Sequence, residues 1–154
     1  MFNRRTIILV FASLAFALPW VTSAYAVSSY AFVQEDGSLR IKGDTYRLFG
    51  IYIPATGQKC RDFEQPPTCN THAALALDFK IGANFVKCEP RARNDDGTIT
   101  ATCTVNDIDL AAYLIERGWA LALPDAPFEY HALEKIARNR GMGMWDLPVE
   151  RQPR

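Results

Sequence analysis

The chain has no excess of positive charge, no closely spaced cysteine pair of the CxxC type, and only two histidines. It also has no internal repeat and no low-complexity run. Each absence excludes something. Basic and acidic residues balance at 17 each, so net charge gives no support for a nucleic-acid binder, although a local basic groove remains compatible with it. Without CxxC spacing, zinc is the weaker reading of the cysteines. His72 has no evident partner, and His131 stands one turn from Glu134. Two isolated histidines make no general-base pair and read as surface residues.

What is present begins with an apolar run. Arg4 and Arg5 precede it, residues 6–21 are almost wholly apolar, and Ala24-Tyr25-Ala26 forms a small-x-small cleavage pattern. This is the layout of an export signal over residues 1–26, leaving a chain that starts at Val27. The rival reading is an uncleaved anchor. Loss of Arg4 and Arg5 leaves 17 − 2 = 15 basic against 17 acidic residues, a net of −2. Residues 27–149 are one domain's worth of chain, and residues 150–154 read as a loose tail.

All four cysteines follow the cleavage pattern: Cys60, Cys69, Cys88 and Cys103. An even count in an exported chain points to disulfides, with three possible pairings. Cys60 and Cys69 bracket a polar, proline-rich loop that carries Phe63 and Pro66-Pro67. Cys88 and Cys103 lie on two strand-like runs joined by a turn. The expected pairs are Cys60–Cys69 and Cys88–Cys103.

Local patterning gives strands at residues 30–34, 39–42 and 46–51, with turns at residues 35–38 and at Gly43-Asp44. A helix capped by Asn70 or Thr71 runs to about Ile81, with Ala74, Leu75, Leu77 and Phe79 as its apolar face. Strands at 84–88 and 99–105 flank a turn at Asn94-Asp95-Asp96-Gly97, where DG is a strong hairpin signal. Asp107 or Asp109 caps a second helix with Leu110, Leu114 and Ile115 inward, and Gly118 ends it. After a short extended piece at 119–123, a third helix spans 128–140 with Leu133, Ile136 and Ala137 inward. Residues 141–145 fold an aromatic back onto the body. Glu134 and Arg138 read as a surface i,i+4 pair, and Trp119 and Trp145 as packing residues. The order implies an α+β fold: a five-stranded barrel with three packed helices.

Several strings extend this reading: YRLFGIYIP at 46–54, GQKC before Cys60's loop, VKC, DDGTITATC, DLAAYLIERGWALA, and YHALEKIAR followed by GMGMW. In this order they resemble the staphylococcal-nuclease family (thermonuclease-like domains). The resemblance covers nearly all of residues 27–149. It implies a five-stranded OB-type barrel that cleaves DNA or RNA phosphodiesters with calcium. Such chemistry needs carboxylates for a hard cation, a base to orient water and fixed cations for the charge on the phosphoryl oxygens.

Carried over by position, the family's strand arginine is Arg47. The loop aspartate falls on Tyr52, the glutamate on Ala55 and the later turn arginine on Thr98. The first metal aspartate falls on Gly37, or on Ser38 with a shift of one. Gly43-Asp44-Thr45 looks like the metal turn but lies too close to Arg47. All but one of the chemical positions are therefore lost. A missing general base alone lowers rate by about 10²–10⁴, and a missing phosphate-stabilising arginine by about 10³–10⁵. Arg47 is expected to pair with Asp44, Glu35 or Asp36, while Asp95 and Asp96 read as a solvated turn.

The resemblance then implies a non-catalytic, monomeric binding or accessory module, periplasmic or extracellular, without cofactor. Its ligand would be nucleic acid or another anionic polymer, such as an acidic polysaccharide. The alternative is an active secreted nuclease using calcium and relocated acids from Asp36, Asp44, Asp62 or Glu64.

Overall fold

The computed structural model describes residues 25–54 and 69–146, with the side chains of residues 69–71 excepted. The export signal, the Cys60–Cys69 pair, Phe63 and Pro66-Pro67, and the tail at 150–154 fall wholly or partly outside those residues.

Strands β1 (Val27–Ser29), β2 (Phe32–Val33), β3 (Leu39–Ile41) and β4 (Asp44–Leu48) come first, followed by β5 (Ile51–Tyr52). Helix α1 spans Cys69–Ile81. Strands β6 (Val86–Arg93), β7 (Ile99–Val105) and β8 (Ile108–Asp109) lead into α2 (Leu110–Glu116). Then come β9 (Leu121–Ala122), α3 (Phe128–Asn139) and a 3-10 turn at Gly143–Asp146.

The main sheet runs β1-β6-β7-β4-β3-β2, with β8 also on β7, and β5 pairs with β9 in a separate ladder. All contacts in the main sheet are antiparallel except β4 with β7, which is parallel. The two ends of the path, β1 and β2, are consecutive pieces of one segment separated by Tyr30-Ala31. The sheet therefore curls until its ends meet along that segment, an α+β arrangement compatible with an OB-like fold.

Strand β7 is the clearest case of sequence dictating face. Its alternation buries Ile99, Ala101, Cys103 and Val105 and leaves Thr100, Thr102 and Thr104 outward. A strand with one face in the core must alternate in this way. Burying each large aliphatic chain contributes about 1.5–3 kcal/mol. Cys88 and Cys103 are directly opposed across β6 and β7, both buried, and joined as the expected disulfide.

Several sequence expectations need correction. The strand expected at 30–34 is confined to Phe32–Val33, and a further strand, Val27–Ser29, precedes it. The strand expected at 46–51 begins at Asp44 and breaks at Phe49-Gly50, after which the chain joins the second ladder. The β3–β4 hairpin turns at Lys42-Gly43, not at Gly43-Asp44, with both residues at positive φ, the primed geometry that matches strand twist. Helix α1 buries Ala73, Leu77 and Ile81, spaced four apart on one stripe. Leu75 and Phe79 are exposed instead. In α3, Ile136 is exposed and Tyr130 is buried with Ala137. The Tyr130 hydroxyl donates to Asp109 Oδ2 at 2.6 Å, so a polar bond draws the ring inward. Burial, then the Asp109 hydrogen bond, pushes that phenol well above its ordinary pKa.

Asp109 is the N-cap of α2, with Oδ1 accepting from the amides of Ala111 and Ala112 at 2.8 and 3.3 Å. One carboxylate thus starts α2 and anchors α3. Glu134 is more than a surface partner for Arg138. Its Oε1 accepts from Arg138 at 2.6 Å, while Oε2 accepts from the Ala122 amide of β9 at 2.6 Å. His72 is stacked on Trp119, ring centroids 4.7 Å apart. The guanidinium of Arg138 lies 4.0 Å from the Trp145 ring centroid, and the Met144 amide donates to Gly118 O. The chain's last aromatic is folded back in this way. No helix among the described residues is long and apolar enough to cross a membrane.

Candidate functional site

Arg47 lies on β4 between the inward-facing Tyr46 and Leu48. Strand alternation sends its side chain to the outer face, where it is half exposed. The parallel register sets it beside Thr100 of β7. The β6–β7 hairpin then brings the turn at residues 94–98 within reach. Arg47 Nη1 lies 2.9 Å from Asp96 Oδ2. The expectation of Asp44, Glu35 or Asp36 as partner is therefore corrected. The reason is topological: β4 is hydrogen-bonded to β7, so the arginine's outward neighbour comes from a turn far along the chain.

Asp96 is bound on both oxygens. Its Oδ1 accepts from the Thr98 amide at 3.0 Å and from the Thr98 hydroxyl at 2.6 Å. The Thr98 hydroxyl, then the Thr98 amide, and after these Arg47, hold the Asp96 carboxyl below the usual aspartate range. Asn94 Nδ2 donates to the Thr98 hydroxyl at 2.8 Å and to the Thr100 hydroxyl at 3.1 Å. Arg47, Asp96, Thr98, Asn94 and Thr100 thus form a polar chain on the outer face. Asp96 is its only acid and Arg47 its only base. Nearby, Arg91 Nε donates to Thr102 Oγ1 at 3.2 Å and its guanidinium lies over Phe49. Arg93 Nη1 reaches Gly97 O at 3.4 Å.

The other matched positions are placed as follows. Gly37 and Ser38 lie in the turn at residues 34–38. A Cβ at Gly37 would collide with Ile53 Cδ1, so Ile53 covers this position. Ser38 is buried. Its hydroxyl lies 2.6 Å from Asp36 Oδ1 and 2.9 Å from Gln34 Oε1, and Asp36 Oδ1 also accepts the Ser38 amide at 2.9 Å. Asp36 is therefore engaged in closing its own turn. Tyr52 is on β5, opposite Leu121 of β9, and belongs to the second ladder rather than to the sheet that carries Arg47. Asp44 begins β4, opposite Ile41. Ala55, Asp62 and Glu64 lie outside the described residues. Among the described residues, no three His, Cys, Asp or Glu side chains gather to hold a metal ion.

Arg47 and Thr98 are brought together, linked through Asp96. Asn94 and Thr100 are the members of this chain of contacts that sequence reasoning missed. A signal for Asn94 was present: residues 34–38 (QEDGS) and 94–98 (NDDGT) share the pattern amide, acid, Asp, Gly, hydroxyl. Comparison with family models and with curated proteins finds no match for this chain.

Proposed function

We propose that this chain is a non-catalytic nuclease-like domain, a binding or accessory module that works outside the cytoplasm on an anionic ligand. The observation that carries this reading is the Arg47–Asp96 pair at 2.9 Å. The one retained cation of a phosphate-cleaving site is met by an internal carboxylate. Of the matched acid positions, Gly37 is covered by Ile53 and Ser38 is bonded within its turn.

The strand order supports the finer fold. With β1 and β2 counted as halves of one bent strand, the main path reduces to five strands in the order first, second, third, fifth, fourth, first. That is the connectivity of an OB-type barrel, in keeping with the resemblance to staphylococcal nuclease. The Cys88–Cys103 disulfide supports an oxidising compartment, and with the apolar N-terminal run it favours export to a periplasm or beyond. A polynucleotide or an acidic polysaccharide would suit an exposed arginine.

The test is an assay of the purified protein on single-stranded DNA and RNA, with calcium and with chelator. No calcium-dependent cleavage is expected. Cleavage that requires calcium and disappears in Arg47→Ala would overturn the proposal and establish the active-nuclease alternative.

A further inference from the structure

We infer that the flank of α1 beside α2 docks on an anionic membrane surface. Lys80 and Arg117 meet the lipid headgroups, and Phe79 enters the boundary of the acyl chains. This goes beyond the functional proposal: it gives the domain a place at a membrane and uses no residue of the sheet that carries Arg47.

A surface helix ordinarily turns an apolar stripe to the core and a polar one to water. Helix α1 does the first and not the second. Ala73, Leu77 and Ile81 are buried, yet Leu75 and Phe79, one turn apart on another side, are 46% and 86% exposed. The contacts of His72 with Trp119 and of Lys80 with Tyr113 mark the flank that faces α2 and the segment after it. Phe128 of α3 is as exposed as Phe79, but an acid, Glu129, follows it in the first turn of its helix. Phe79 is followed by a cation.

That cation, Lys80, has its Nζ 5.2 Å from the centroid of the Tyr113 ring, and Arg117 Cζ lies 4.9 Å from the same centroid. Two helices thus hold two cations on one tyrosine. A cation–π contact keeps a charge in place and leaves its N–H donors free. Among the described residues neither cation is in a salt bridge. Of the nearby acids, Asp78 is set off from Phe79 on the side away from Lys80, and Glu116 adjoins Arg117. A polyanion in water would take the cations and leave Phe79 in water. A purely apolar partner would leave the cations unpaired. A bilayer with anionic headgroups takes both, since it attracts Lys and Arg at its surface and admits phenyl rings at the acyl boundary. Tyrosine and tryptophan are at home at the same level, which suits Tyr113 and Trp119.

The test is vesicle co-sedimentation with chelator present. It uses the exported chain beginning at Val27, so that the apolar run at residues 6–21 binds no lipid itself. One set of vesicles is phosphatidylcholine alone, and the other also carries phosphatidylglycerol. Binding is expected on the anionic set and should be at least about tenfold weaker on the neutral one. Raising salt from about 0.1 to about 1 M, which shortens the Debye length from about 10 to about 3 Å, should weaken it by a similar factor. Lys80→Gln and Arg117→Gln should each weaken binding about fivefold, and Phe79→Ser about tenfold. Phe128→Ser and Lys135→Gln alter exposed residues of α3 and are the controls, each changing binding by less than about twofold. An unaltered thermal midpoint verifies that each variant is folded.

Equal binding to the two vesicle sets would overturn the inference. So would a loss in Phe128→Ser as large as that in Phe79→Ser. Absence of binding to anionic vesicles would overturn it too, and a dimer in sedimentation velocity that Phe79→Ser disperses would then assign the face to a second copy of the chain. The assay uses neither calcium nor polynucleotide. Calcium-dependent cleavage would defeat the functional proposal without altering this result.

Discussion

The turns at residues 34–38 and 94–98 are the same object built twice. In each, the first residue's amide donates to the carbonyl of the fifth, and the glycine amide donates back to the carbonyl of the first. In each, an aspartate Oδ1 accepts the amide and hydroxyl of the residue after the glycine. Both glycines have positive φ. What differs is the surroundings. The first turn is covered by Ile53 and has a buried hydroxyl, Ser38. The second stands open, with nothing near its glycine and an arginine on its aspartate. One local sequence pattern thus makes a packing element in one place and a polar site in another. The neighbour decides, and the neighbour is set by strand order.

This contrast can be broken experimentally, and the disulfide should give the largest effect. Cys88–Cys103 closes the hairpin that carries the second turn, with a sequence separation of 15. Replacing both cysteines by alanine should lower stability by about 3 kcal/mol in the chain-entropy account, read from urea unfolding. A loss below about 1 kcal/mol would mean that the β6–β7 pairing already holds the turn.

The glycines come next. Gly97→Ala should cost about 1 kcal/mol, the strain of a left-handed alanine alone. Gly37→Ala adds the contact with Ile53 and should cost about 2 kcal/mol, the increment being that of mild overpacking. Equal unfolding midpoints for the two variants would remove the packing distinction.

The hydroxyls should separate the turns more gently. Ser38→Ala leaves a buried site without its hydrogen bonds and should lose about 1 kcal/mol. Thr98→Ala, at the open turn, should lose no more than about 0.5 kcal/mol.

The smallest effect concerns Asp96 itself. Its carboxyl titrates low chiefly because of the Thr98 hydroxyl, with Arg47 a lesser cause. By NMR titration, Thr98→Ala should therefore raise the Asp96 pKa more than Arg47→Ala does. The reverse order would make the ion pair, not the turn, the principal hold on the carboxylate.

Both turns were legible because their determinants are local. The DG steps, the Asp109 cap and the alternation of β7 are written within a few residues. The partner of Arg47 was not legible. It depends on β4 lying parallel to β7, and no local pattern names a parallel neighbour. The inward face of α1 was misread because that helix carries apolar residues on more than one side, so burial of Ala73, Leu77 and Ile81 is decided by the sheet beneath. Ile136 was misplaced because Tyr130 reaches Asp109, and a single buried hydrogen bond rotated the expected face of α3.

The meeting of the sheet's two ends along one segment also orders events in time. Hairpins β3–β4 and β6–β7 join near neighbours in the chain, whereas β1 waits for β6, with Val27 opposite Cys88. Pairings of such separation form late, because the intervening chain must first be gathered. The earliest of the described strands to be synthesised, β1, is therefore among the last to be placed. Until β6 arrives, Val27–Ser29 are an unpaired edge, and that interval is when this chain is most open to chaperones, proteases and its own copies.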